Sequence, residues 1–233
     1  MQVQGKVYLT NLKKQLLLHP MFDDVFIKKI SSLPHFEINR AQIFAELYYP
    51  HILRTRLYQA NALGITSDEK IQYILSEILH DEYGQGDLEK SHMQLYRNFM
   101  IAIGIEIKDS SSYSVIPELQ MYISTMEQLT RNGDWLSAVA AVGVASEWPI
   151  PKYYSLLLNG LRKIPGIEEH DLELFSGHVE LDVEHSNMIE ESVLPYLDDE
   201  RNQKRFTKGV SINMQARRVF HAGLYREIFE NKA

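Results

Sequence analysis

The chain has 233 residues, 45% of them hydrophobic, which is enough apolar material for one substantial core or two small ones. It contains no cysteine, which excludes disulfides, thiolate metal sites and a cysteine nucleophile. A net charge of −7 with scattered Lys and Arg argues against a nucleic-acid partner, and no 18-residue apolar run suggests a membrane span. Met1–Lys6 opens no signal-peptide core, so a cytoplasmic protein with a small-molecule partner is expected.

Helical periodicity dominates along the chain and strand-like alternation is scarce. The pattern predicts helices over 6–18, 21–31, 39–63, 67–83, 87–103, 116–131, 134–148, 151–164, 168–196 and 199–229. Thr66-x-x-Glu69 reads as a capping box, Asp87 and Asp134 as N-caps, Pro117 as a first-turn proline, and Gly104 and Asn132-Gly133 as helix exits. Pro50 is expected to kink the third helix, and Pro149 with Pro151 to break the chain just after Glu147. The Ser-rich stretch 108–114 is the long connection. No linker, composition shift or repeat divides residues 1–233, so a single all-α domain is expected.

Several of these helices carry acids or imidazoles on apolar stripes. Glu46 shares a face with Ile43, Leu53 and Leu57, and Glu82 continues the face of Ile71, Leu75 and Ile78. His92 runs with Leu95, Tyr96 and Phe99, while Glu147 follows Leu136, Ala140 and Val144 in a stretch of small residues. His178, Asp182 and His185 form an H-x3-D-x2-H stripe flanked by Leu174, Leu181 and Met188, with Glu180, Glu184, Asn187 and Glu191 turned outward. Taken singly, each has an ordinary reading: a partner Arg, a helix end, or a hydrogen-bonded core histidine. Together, four carboxylates and three imidazoles facing a core require cations, because unpaired charge in low dielectric is costly. Glu46, Glu82, Glu147 and Asp182 sum to −4, which two divalent ions neutralise. Mixed oxygen and nitrogen donors suit Fe or Mn better than Ca or a structural Zn.

The ordered set Glu82-Tyr-Gly-Gln-Gly-Asp87, His92, an isolated Glu147 and H-x3-D-x2-H resembles the haem-oxygenase-like diiron oxidases and oxygenases, relatives of the TenA and pyrroloquinoline-quinone-synthase fold. The resemblance spans most of the chain. It implies a haem-oxygenase-like helical bundle, two Fe(II) per chain with Fe/Mn as the alternative, and O2 as cosubstrate. His92, Glu147, His178, Asp182 and His185 match that pattern residue by residue, Glu82 nearly so. Glu46 corresponds more loosely, and Glu89 competes with Glu82 for one ligand position.

Members of that family oxidise amines, cleave C–C bonds of amino acids or fatty acids, or make nitriles and alkenes. The resemblance thus implies a biosynthetic oxidoreductase acting on a small amine or amino acid, and leaves open an external electron donor and a homodimer. Tyr48, Tyr49, His51, Trp148 and Lys152 are candidate pocket residues. A subgroup making p-aminobenzoate consumes a tyrosine that directly precedes the ligand glutamate; Ser146 holds that place here, which argues against that activity. Other readings are a cofactorless oxidase of the pyrroloquinoline-quinone type, a haem-degrading enzyme using His19, and a non-enzymatic helical scaffold.

Overall fold

The computed structural model describes residues 3–231, the side chains of Val3 and Glu180 excepted. Among these residues there is no strand, and ten α-helices follow one another: α1 (Val3–Leu16), α2 (Val25–Ser32), α3 (Ile38–Ile65), α4 (Glu69–Glu82), α5 (His92–Ala102), α6 (Pro117–Asn132), α7 (Trp135–Val142), α8 (Ile150–Leu161), α9 (Glu173–Val193) and α10 (Glu200–Tyr225). None is long and apolar enough to cross a membrane.

Local chemistry starts most of these helices. Side-chain oxygens satisfy first-turn amides that have no intrahelical partner: Asp24 accepts from Ile27 at 3.1 Å, Asp68 from Ile71 at 2.8 Å and Asp134 from Ser137 at 3.1 Å. Pro117 opens α6, and Gly104 leaves α5 at φ +82°. Two expected starts are displaced. Asp68, not Thr66, caps α4; Thr66 ends α3 and accepts from the Asp68 amide at 3.3 Å. Asp87 caps only a 3-10 turn over Leu88–Lys90, and Ser91 restarts the chain as α5, so the expected helix 87–103 is two elements. Pro50 sits inside α3 without interrupting its helical assignment.

One continuous apolar cluster is shared by all ten helices. α10 lies across α6 and α7, α8 packs on α2 and α9, and α3 runs between α4 and α6. At the centre, Tyr48, His51, Tyr122 and Phe220 pack together, the His51 ring edge-on or tilted to the other three and Phe220 stacked on Tyr48 and Tyr122, at ring separations of 5.1 to 6.0 Å. Of these, His51 and Tyr122 reach the wall of a cavity that also carries acids, imidazoles and the aliphatic side chains Ile52, Val142, Ile150 and Leu174.

Candidate metal centre

Two groups of potential ligand atoms face that cavity, each group with all its atoms within 4.8 Å of one another: Glu82, His92 and His178, and Glu147, Asp182 and His185. α9 serves both. Its spacing places His178, Asp182 and His185 on one stripe, Asp182 and His185 deeply buried and Glu184, Asn187 and Glu191 exposed, as the helical period requires.

Glu82 ends α4 and His92 begins α5, and an unusual turn joins them. Gly84, Gln85 and Gly86 all take positive φ (72°, 56° and 94°). A Cβ on Gly84 would stand 2.7 Å from the backbone of Lys90 and Ser91, so only glycine lets the chain fold back this tightly. The result sets Glu82 Oε2 3.0 Å from His92 Nδ1, although His92 Nδ1 makes no aligned hydrogen bond. His178 Nδ1 donates to the Leu174 carbonyl at 2.5 Å, which leaves Nε2 with its free lone pair. The His92 and His178 rings lie 4.2 Å apart.

Glu147 reaches the second group through a helix break. The expectation of one helix over 134–148 fails at Gly143, not after Glu147: α7 stops at Val142, Ala145 N donates five residues back to Ala140 O, and Glu147 N donates to Gly143 O at 2.7 Å. Ile189 of α9 packs on Gly143 so closely that a Cβ there would meet its side chain at 2.6 Å. Glu147 Oε1 accepts from Gln59 at 3.2 Å. His185 donates from Nε2 to Asp81 at 2.8 Å, turning Nδ1 toward Asp182 and Glu147 at 3.8 and 3.9 Å. A carboxylate behind a histidine is the usual means of orienting a metal-bound imidazole.

The electrostatics show what these groups do without a cation. Burial, with help from Glu147 and Glu82, pushes the Asp182 carboxyl well above the usual range, which favours its protonated form. Burial and the neighbouring His92 lower His178 to about 3. Burial opposes charge on His185, but Glu147 and Asp81 outweigh it and raise the imidazole to about 9. Asp182 Oδ2 and His92 Nδ1 are buried and unpartnered. Three carboxylates and three imidazoles, two with orphaned donor atoms, fit divalent cations with mixed O/N preference; binding would displace these protons.

Five of the six residues line a cavity with about 60 Å³ of free space, enough for several waters or part of a small metabolite. Its other walls include His51, Tyr58, Gln59, Tyr122, Tyr154 and Arg217. Of the expected pocket residues only His51 lines it. Tyr48 packs in the central aromatic group, Tyr49 is a core side chain whose hydroxyl accepts from Arg97, and Trp148 and Lys152 face Phe22.

Glu46 is not brought to either group. It sits on the outer face of α3, partly exposed and 3.5 Å from Lys108. Glu89 is exposed on its 3-10 turn, whereas Glu82 lies within the group of His92 and His178. His19 caps the turn at Pro20–Asp23 by accepting from Met21. Sequence reasoning missed Asp81, Gln59 and Arg217. Arg217 carried a signal, a cation between Met214 and Phe220 on an otherwise apolar stripe.

Comparison with known proteins agrees with this architecture. The fold is haem-oxygenase-like: a domain of unknown function from Shewanella denitrificans described as having that fold superposes with a TM-score of 0.78 at 14% identity, covering 97% of this chain and 96% of that one. A 4-aminobenzoate synthase of Nitrosomonas europaea is 28% identical over 116 residues, 49% of this chain and 45% of that protein, so the match spans about half of that relative's length. A 4-chloro-allylglycine synthase of Streptantibioticus cattleyicolor is 20% identical over 205 residues, 88% of this chain and 77% of that protein. A family model described as iron-containing redox enzyme matches residues 42–218, most of the chain and every member of both clusters, and the chain belongs to that family.

Proposed function

We propose that this chain is an O2-dependent non-haem diiron oxidase or oxygenase, with Glu82, His92 and His178 holding one iron and Glu147, Asp182 and His185 the other. The observation that carries the reading is the pairing of two carboxylate–imidazole groups on one cavity, with Asp182 Oδ2 and His92 Nδ1 left unpartnered. Charge balance supports two ions: Glu82, Glu147 and Asp182 with Asp81 behind His185 again make four acids, Asp81 standing in the tally where Glu46 was expected.

Bound Fe(II) would supply the electrons that activate O2. The protein's own part is placement and exclusion. Gln59 fixes one Glu147 oxygen, Asp81 fixes the His185 ring, and the Leu174 carbonyl fixes the His178 tautomer. Tyr154, Leu174 and Ile150 add hydrophobic surface to the cavity wall, which lowers the water content beside the ligand groups. A small amine or amino acid in a biosynthetic pathway is the proposed substrate, supported by the size of the cavity and by the relative named for an amino-acid product. Self-derived p-aminobenzoate is not proposed, because the residue before Glu147 is Ser146, engaged by Asn213 and Arg217.

The test is anaerobic loading with Fe(II) followed by O2 exposure in an oxygen electrode, with and without a panel of amino acids and amines. O2 uptake that scales with bound iron and rises with one class of substrate is expected. Equal uptake by metal-free protein would favour a cofactorless oxidase.

A further inference from the structure

Away from both ligand groups the molecule buries a further acid–imidazole pair. Asp24 caps α2 and His221 lies on α10; they are 8% and 4% exposed. Asp24 Oδ1 stands 3.5 Å from His221 Nδ1, which makes no aligned hydrogen bond. Burial opposes charge on Asp24, but His221 and the amides of Ile27 and Phe26 outweigh it and hold the carboxyl below its usual range. Capping α2 accounts for Asp24. It does not account for His221, whose ring packs on Phe26, Tyr153 and Phe220, where a phenyl group would serve without burying an orphaned nitrogen.

The pair stands between two small voids, each with about 10 Å³ of free space, room for one water. The outer void is walled by Asp24, reaches the exposed Lys28 and Lys152, and shares Ile27 and Tyr153 with the inner one. The inner void is walled by His221 and shares Ile150, Tyr154 and Arg217 with the central cavity. Arg217 Nε, like His221 Nδ1, is buried without a partner, so a water in the inner void has two polar atoms to bridge. A file of voids and polar groups thus runs from Lys28 and Lys152 to the cavity wall.

We propose that His221 is a proton relay: it takes a proton from solvent by way of the outer void and Asp24, and passes one through water in the inner void, past Arg217 and Tyr154, into the central cavity. Only N–H and O–H bonds form and break, no electron moves, and each proton His221 gives up is replaced from solvent. The relay rests on the diiron reading for what consumes the protons, since reduction of O2 to water takes up one proton per electron. Asp24 favours the charged ring and offsets the like charge of Arg217, which lines the same void. The rival path for protons is the groove between α5 and α9, which is walled by Glu173 and Glu184 and reaches His92 and His178 from outside.

His51 reports on the relay without metal, because its ring lines the cavity and its Nδ1 is buried and unpartnered. Exchange of the His51 ring N–H with solvent, followed by nitrogen-15 NMR of the metal-free chain, is expected to slow at least tenfold in His221→Phe and in His221→Gln. Asp24→Asn, which keeps the cap, should slow it less. A merely structural His221 predicts the opposite sign, since loosening the interior speeds exchange. Equal or faster exchange in the His221 variants would overturn the proposal and leave the α5/α9 groove as the path. If His221→Phe does not fold, His221→Gln decides by the same reading. In Fe(II)-loaded protein, His221→Gln should slow O2 uptake at least fivefold at unchanged iron, with a larger ratio of rates in H2O and D2O; an unchanged rate and ratio would also overturn it. Slowed His51 exchange in protein that takes up no iron would sink the diiron reading and leave the relay standing, while iron-dependent O2 uptake with unchanged exchange would do the reverse.

Discussion

The two ways in which this fold delivers its inward polar groups contrast sharply. α9 supplies His178, Asp182 and His185 from one uninterrupted helix, so their positions follow from 3.6 residues per turn and little else. Glu82, His92 and Glu147 come from places where helices stop: the end of α4, the start of α5 and the irregular turn after α7. The regular helix fixes a stripe. The broken segments aim single carboxylates at that stripe, and each depends on a glycine whose replacement would clash. The regular part should therefore tolerate change outside its stripe, and the irregular part should be sensitive to backbone as well as side chain.

Replacing Glu82 tests the irregular side most severely. Glu82→Ala removes the only carboxylate of its group, and the expected result is loss of about one iron and of O2 uptake, measured by metal analysis and oxygen electrode. Gly84→Ala comes next. It strains a φ of +72° and drives a Cβ into the Lys90–Ser91 backbone, for about 1–3 kcal/mol of stability by chemical denaturation. If Gly84→Ala left both stability and iron content unchanged, the turn would not be what sets Glu82 against His92.

The pH dependence of the metal-free protein sharpens the comparison. His185 is raised from 6.5 to about 9, so its contribution is fully present below about pH 6.5 and is lost as pH rises through about 9, with a slope of at most about 1.4 kcal/mol per pH unit. Asp182, also raised, acts in the same direction from its lower starting point. His178, lowered to about 3, acts oppositely: its contribution is present above about pH 6.5 and is shed as pH falls toward 3. Denaturation midpoints of metal-free protein should fall between pH 6.5 and 9, and His185→Asn should flatten that fall. The smallest effect belongs to Glu89→Ala. That side chain is exposed and outside both groups, so the change should cost less than about 0.5 kcal/mol and no iron.

Legibility in the sequence followed the same division. The all-α class, the caps at Asp134 and Pro117 and the H-x3-D-x2-H stripe were readable because each rests on a local rule or on helical period. Glu46 was misplaced by that same reasoning, since sharing a face with Ile43 and Leu53 does not say which partner covers the face, and here solvent and Lys108 do. Glu147 was readable as an oddity in an apolar run, but the break at Gly143 was not, because it answers to Ile189 on a helix over forty residues away. Asp81 escaped, and the signal at Arg217 went unread, for a different reason. Their meaning comes from His185 and Ser146, which only the fold brings to them.

The central claim is that two ions are held by two groups that share α9. The most direct measurement is iron per chain after anaerobic Fe(II) loading and desalting, for wild type, His178→Ala and His185→Ala, with helicity followed by circular dichroism. The account predicts close to two for wild type and about one for each variant at near-native helicity. Unchanged iron in both variants would contradict it.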